Sequence, residues 1–253
     1  MLNHFENVTL LITHYNRSSS LDRLLKSYHD LGCSFGDIVV SDDGSKQEHI
    51  KRLKELRSLY SFNLITSEKN KGLGNNINKG QDAVKTLYTL YVQEDFEPAP
   101  DFALHFKNAL DIMESDTHFD IVRFYSYLKY PYLKPYKNGF SEMYIKPWSP
   151  DYLKIYYYSD HPHLRRSAFF EKFGRYAEGL KGDKTEYKMC VSFIRNEGKG
   201  LFFDDYKGLF YQKNSEEEPS TMTRGNLSQS SNFFISIIRD VYRQFKYNYD
   251  LNR

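Results

Sequence analysis

Cysteine is nearly absent from this chain: Cys33 and Cys190 are the only two, and they lie far apart. That excludes a disulfide scaffold and offers no metal-ligand spacing, so both read as reduced thiols of a cytosolic protein. An excess of either charge is also missing. There are 35 Lys and Arg against 33 Asp and Glu, a formal net charge of +2, which argues against a dedicated nucleic-acid binder. The N-terminus has no basic-then-apolar signal, and no window is apolar enough to span a bilayer. A cytoplasmic protein is the expectation. Aromatic residues are abundant instead, with 22 Tyr and 19 Phe. Such rings fill cores, and they also form platforms for sugar rings. A length of 253 residues fits one large domain or two small ones, with chain enough for a sizeable core.

The first half alternates strand and helix patterns. Val8 to Thr13 is an apolar, β-branched run, and Leu21, Leu24, Leu25, Tyr28 and Leu31 follow at helical spacing. Asp37 to Ser41 reads as a second strand ended by the turn Asp42-Asp43-Gly44-Ser45. Ile50, Leu53, Leu56 and Tyr60 mark a helix, and residues 62–66 a third strand. Asn70 to Gly80 reads as a Gly/Asn-rich loop entering a helix that carries Ala83, Val84 and Leu87. The apolar run 87–92 then predicts a buried strand, and a helix is expected from about Asp101 to Met113. This order implies an α/β fold with a mainly parallel sheet and helices on both faces. Loops 14–17, 42–45 and 93–97 all follow strands, so they should converge on one edge of the sheet. In open α/β sheets that edge is where ligands bind. The acidic run Gln93-Glu94-Asp95-Phe96-Glu97 stands there, and its hard oxygen ligands suit Mg²⁺ or Mn²⁺.

The second half is crowded with Tyr and Lys from Ile121 to Tyr158 and is broken by Pro131, Pro135, Pro147 and Pro150. Three uses of those rings stay open: stacking acceptor sugars, stacking single-stranded nucleic acid, or packing as strands and a dimer surface. His161-Pro162-His163-Leu164-Arg165-Arg166 precedes a short helix pattern through Phe170. Gly182 to Glu186 is a polar start to another helix. Residues 214–231 read as a polar mobile loop, and Phe233 to Phe245 as an amphipathic helix with Arg239, Arg243 and Lys246 on its polar side. That helix could rest on a membrane surface, but packing on the domain is the reading with more weight.

The first half resembles family-2 glycosyltransferases of the GT-A fold. Residues 8–17 look like the opening strand and its "TYNR" end, with a threonine and a histidine where "PT" is commoner. Ile38 to Ser45 looks like "VDDGS", and Asn70, Gly72, Asn78 and Gly80 reproduce the "NxGx…xNxG" spacing. Ile77 stands where an arginine often precedes the second Asn, so a phosphate contact must come from elsewhere. Gln93, Glu94 and Asp95 fill the DxD metal motif without its first Asp, and the region also looks like the "EDD" stretch of N-acetylglucosaminyltransferase I. The likeness is specific over about residues 8–102 and looser over 159–195.

The resemblance implies a GT-A domain over 1–210, with a donor half 1–102 and an acceptor half 103–210, followed by the loop and helix of 211–253. It implies a metal-dependent, inverting glycosyltransferase using Mn²⁺ or Mg²⁺. Its donor would be a nucleotide-diphosphate sugar, with a UDP-sugar favoured. Its acceptor would be a hydroxyl of a glycan or lipid-linked chain in surface polysaccharide synthesis. Thr13, Tyr15, Asn16, Arg17, Asp42, Asp43, Gly72, Asn78, Glu94 and His163 are the expected nucleotide-sugar contacts, and Asp95 the metal ligand. The carboxylate that takes the acceptor's proton is expected at Glu186, with Asp183 as the other candidate. Partners are the donor and acceptor, no nucleic acid, and room for peripheral membrane contact or a homodimer.

Two rivals are weighed. A nucleotidyltransferase would want a Gly-rich basic loop after the first strand, and His14-Tyr15-Asn16-Arg17 has no glycine. A non-catalytic glycan- or nucleotide-binding protein on the same fold is suggested by the missing first Asp.

Overall fold

The computed structural model describes residues 3–145, 151–214 and 233–252. β1 (Asn3–His14), α1 (Ser18–Asp30), β2 (Cys33–Asp42), α2 (Gln47–Tyr60) and β3 (Asn63–Thr66) open the chain. α3 (Leu73–Asp82), β4 (Tyr88–Gln93), the short β5 (Phe96–Pro98) and α4 (Phe102–Ser115) complete the first half. The second half holds β6 (Ile121–Arg123), β7 (Leu133–Pro135), β8 (Phe140–Met143) and a 3-10 helix, Tyr152–Tyr157. β9 (His163–Arg166), α5 (Phe169–Phe173), α6 (Gly182–Arg195), β10 (Gly200–Phe203), β11 (Phe210–Gln212) and α7 (Phe233–Asn252) follow.

Nine strands form one sheet in the order β3-β2-β1-β4-β9-β6-β10-β8-β7. β1, β2, β3 and β4 run parallel, as the alternating pattern requires, and β9 inserts antiparallel between β4 and β6. The period of two sorts the core. Leu10, Ile12, Val40, Leu90 and Val92 face α1, α2 and α4, whereas Leu11, Val39 and Tyr91 face α3, α5 and α6. Chain order leaves β1 toward β2 and β3 on one side and toward β4 on the other. That reversal opens a crevice between the C-terminal ends of β1 and β4, the place where open α/β sheets take ligands.

Three expectations need correction. α3 occupies residues 73–82, inside the stretch read as a loop, and Ala83, Val84 and Leu87 come after it. Its glycines permit close packing: a Cβ on Gly74 would stand 2.4 Å from the Ala177 carbonyl oxygen. His163–Arg166 is a strand rather than a polar approach to a helix, because Arg165 is fully buried among the rings of Phe169, Phe170, Tyr91 and Tyr176. α7 is turned the other way round. Arg243 lies over Tyr152 and Lys246 over Tyr187, so its basic side packs on the domain, while Tyr242, Phe245 and Tyr249 are exposed.

The Tyr-rich segment divides. Tyr130, Tyr157 and Tyr158 are core residues, and Tyr127, Tyr136 and Tyr156 are exposed. Lys146, Pro147 and Pro150, and nearly all of the loop read over 214–231, lie outside the described residues. Among the described residues no helix is long and apolar enough to cross a membrane.

Because Gly74 meets backbone rather than a movable side chain, Gly74→Ala should lower unfolding stability by about 1–3 kcal/mol. Denaturant titration checks this, and an unchanged midpoint would contradict the flush packing of α3.

Candidate active site

The three polar loops meet at the crevice through a buried clamp. His14 ends β1 and Asp42 ends β2, and they are register partners. The His14 Nδ1–H donates to Asp42 Oδ1 at 2.8 Å, while His14 Nε2 accepts from the Arg17 backbone N–H at 3.2 Å. Those two contacts fix the ring as a neutral tautomer with its proton on Nδ1. Asp42 also accepts from the Ser45 hydroxyl and from the N–H groups of Gly44 and Ser45, both at 3.1 Å. Burial opposes its ionisation, but hydrogen bonds from His14 and Ser45 outweigh burial and hold its pKa below the usual value. Gly44 has φ +72°, and a Cβ there would lie 2.4 Å from the Lys69 carbonyl carbon. Only glycine suits that turn. Asn16, itself at φ 53°, ties the loops further: its N–H donates to Ser45 Oγ and its Oδ1 accepts from Lys46 N–H, each at 2.8 Å.

Asp43 reaches forward instead of back. Its two oxygens accept from the N–H groups of Lys71 and Gly72, each at 2.8 Å, so it holds the chain leading into α3. Burial raises its pKa, against the pull of those two N–H groups. Asn78 is spent on the far side. It brackets Tyr176 through both backbone groups at 3.0 Å and donates to Glu178 at 2.8 Å. Ile77 is fully buried in the core beneath α3, which explains the missing arginine. Thr13 is buried, with its hydroxyl 3.1 Å from the Tyr91 hydroxyl. Tyr15 is half-buried, and its backbone N–H supports Glu94.

Arg17 crosses the crevice. Its Nη1 lies 3.2 Å from Asp95 Oδ2 and 3.9 Å from Glu94 Oε1, and its Nη2 donates to Asn214 Oδ1 at 2.7 Å. β11 pairs with β5 and so brings Gln212 and Asn214 to the same place. Gln212 donates to Asp95 Oδ2 at 2.9 Å. Asp95 Oδ1, in contrast, is buried with no hydrogen-bond partner. A buried, unpartnered carboxylate oxygen at a sheet edge fits a cation ligand. Among the described residues no group of three His, Cys, Asp or Glu could hold a metal by itself. Asp95, seconded by Glu94, would therefore share the ion with substrate oxygens and water. Burial and the adjacent Asp95 push Glu94 up to about 8 against the pull of Arg17.

A second pair of carboxyl residues lies on α6. Asp183 is exposed in the first turn of α6, whereas Glu186, one turn on, is half-buried. Glu186 Oε1 accepts from the Asp160 backbone N–H at 3.1 Å. Gln93 Nε2 lies 3.4 Å from the Asp160 carbonyl oxygen, linking this pair to the end of β4. His163, among the expected contacts, is fully buried, donates from Nδ1 to the His161 carbonyl at 2.7 Å, and packs on Tyr91. Burial and the neighbouring Arg165 hold it well below the usual histidine range. Sequence reading overlooked His14, Ser45, Gln212, Asn214 and Asp160. His14 carried a signal as a polar residue ending a buried strand, and Ser45 as the last residue of the Asp-Asp-Gly-Ser turn; the others join the site only through tertiary contacts.

The model of the family described as "Glycosyl transferase family 2" matches residues 9–174. A cholesterol galactosyltransferase of Borreliella burgdorferi is 28% identical over 92 residues, which are 36% of this chain and 26% of that protein. The chain thus spans well under two thirds of that curated relative. Among solved structures, S. aureus TarS 1-349 in complex with UDP-GlcNAc superposes with a TM-score of 0.64 at 17% identity, over 96% of this chain and 70% of that one. TarS 1-349 in a second structure gives 0.61 at 17% identity, over 81% of this chain and 60% of that one. The mannosyltransferase PcManGT of Pyrobaculum calidifontis, in complex with GDP-Man and Mn²⁺, gives 0.53 at 12% identity over 79% and 55%. At such identities the likeness shows the fold, which is GT-A.

The Glu94 shift gives a pH test in metal-free protein. Between the unfolded carboxyl value of about 4.3 and the folded value of about 8, the folded state holds a proton that the unfolded state lacks. Stability therefore falls as pH rises through that window. Glu94→Gln should gain more stability at pH 8 than at pH 5, measured by chemical unfolding with a chelator present. An equal gain at both pH values would contradict the buried carboxyl pair.

Proposed function

Because the chain belongs to glycosyl transferase family 2, we propose that it transfers a sugar from a nucleotide-diphosphate donor to an acceptor hydroxyl with inversion. The observation that carries this reading is the unpartnered buried oxygen of Asp95 just past β4, with Gln93 at the end of β4 reaching the Asp160 carbonyl of the segment that bonds Glu186. A UDP-sugar is the favoured donor, in keeping with the UDP-GlcNAc complex of a neighbour of the same fold. For the acceptor we propose a glycan or lipid-linked hydroxyl of a surface polysaccharide.

In this reading Asp95 and Glu94 hold Mn²⁺ or Mg²⁺, which when bound would neutralise the donor diphosphate. Arg17 supplies a second positive group at the same place, by a planar fork suited to phosphate oxygens. The clamp of His14, Asp42 and Ser45 keeps the floor of the crevice rigid. Asp43 and Gly72 fix the loop over which the base and ribose would lie. Glu186 takes the proton of the acceptor hydroxyl as its oxygen bonds to the anomeric carbon. The bond from that carbon to the diphosphate breaks, and its electron pair leaves with the nucleotide. Asp183, exposed and one turn away, has no part in that step.

Transfer from UDP- and GDP-sugars with Mn²⁺ tests the reading. Glu186→Gln should lower kcat about 10²- to 10⁴-fold with donor binding kept, and Asp183→Asn should leave it unchanged. Asp95→Ala should abolish the metal-dependent thermal stabilisation by nucleotide. Full transfer by Glu186→Gln, or metal-dependent binding by Asp95→Ala, would overturn these assignments.

A further inference from the structure

We infer that Asp160 is a protonated carboxylic acid that donates a hydrogen bond to Glu186, so that the two carboxyl groups act as one unit holding a single proton. This rests on the reading of Glu186 as the base and extends it to a residue outside the family's motifs.

The geometry makes the case first. Asp160 precedes β9, antiparallel to β4 from the register of His163 with Tyr91, and so lies across from the acidic run. Its side chain is buried at 7% exposure. Its backbone N–H donates to Glu186 Oε1 at 3.1 Å, which holds the Glu186 carboxyl beside Asp160. Two ionised carboxylates accept only, so a hydrogen bond between them requires a proton on one. Arg123 adds positive charge nearby, but its guanidinium is spent on the Tyr156 carbonyl oxygen at 2.6 Å and Ser159 Oγ at 2.7 Å.

The choice between the two carboxyls follows from their surroundings. Arg123 from β6 faces the pair, as do Asp183 and Cys190 from α6, Tyr91 from β4, and Tyr158 and Tyr176 on either side of β9. Burial and the neighbouring Glu186 push Asp160 well above the usual carboxylate range. Burial also raises Glu186, but the hydrogen bonds from Asp160 and the charge of Arg123 oppose it. Glu186 accepts the Asp160 backbone N–H, a donor that favours its charged form, so Asp160 keeps the proton and Glu186 the charge. Glu186 is also the more exposed of the two, and so the one an acceptor can reach.

The neighbouring Gln93 acquires a reason here. Its amide N–H points at the Asp160 carbonyl oxygen. An aspartate at 93 would set a third carboxylate against this pair and offer that oxygen no donor. The departure from the DxD pattern thus belongs to the acceptor-side pair as much as to the metal side.

Asp160 is a positioning residue, acting through Glu186. An O–H donor to a carboxylate makes a stronger hydrogen bond than an amide N–H does, so it holds Glu186 ionised and aimed. Infrared spectroscopy of the wild-type protein reads the proton directly. With Glu94→Gln removing the other carboxyl that stays protonated, a carboxylic-acid carbonyl band should persist at neutral pH, where ordinary carboxyls are ionised, and should vanish when Asp160→Asn is added. The acid limb of the kcat/KM profile should move to higher pH by about one unit in Asp160→Asn and further in Asp160→Ala, with donor KM unchanged. A limb that moves to lower pH would mean that Asp160 is ionised, and the inference falls. A wild-type spectrum without the band also overturns it, whether or not the variants fold. Absence of transfer with every donor would sink the proposed function while leaving the band in place, so the two failures are distinguishable.

Discussion

Everything at the crevice depends on the buried contact between His14 and Asp42. It joins the ends of two adjacent parallel strands, and both side chains are essentially without solvent exposure. Because His14 Nε2 also holds the Arg17 backbone, the same ring sets where α1 begins and where the Arg17 side chain goes. Leaving one buried partner of such a contact unsatisfied costs about 1–3 kcal/mol. The larger sum is at the next step, where breaking a buried ion pair such as Arg17 with Asp95 costs about 3–5 kcal/mol. The clamp is therefore a foundation: modest in its own energy, it determines the placement of the more costly charges.

From that foundation two aspartates of one turn take different work. Asp42 is consumed by its own turn and by His14, while Asp43 organises the chain before α3. A DDG sequence does not distinguish them, since both are turn carboxylates to the eye. The distinction arises because β2 ends with Asp42 in register with His14, and because Gly44 then reverses the chain over Lys69.

Much of the first half was legible because its signals are local. Alternating apolar residues, helical leucines and turn chemistry are read within a few positions, and the three loops fall at one edge as a parallel sheet demands. α3 was hidden for a physical reason. Gly and Asn are poor helix formers, yet here Gly74 allows contact with the Ala177 backbone and Asn76 and Asn78 find tertiary partners. β9 was hidden because a buried arginine is rare, and Arg165 is accommodated by Tyr176, Gln81 and surrounding rings. α7 misled because Arg243 and Lys246 pack on tyrosines, leaving Tyr242, Phe245 and Tyr249 outside. Asp160 gave no signal at all: no spacing relates it to Glu186, and only the antiparallel insertion of β9 brings them together.

The proposed function gives the metal to Asp95 and the acceptor's proton to Glu186, both near the C-terminal end of β4. A crystal soaked with UDP and Mn²⁺, measured at a wavelength where manganese scatters anomalously, tests it most directly. An anomalous peak in coordination contact with Asp95, with the diphosphate beside it and its terminal phosphate directed toward Glu186, is the expected result. Nucleotide bound elsewhere, or manganese held without Asp95, would contradict it.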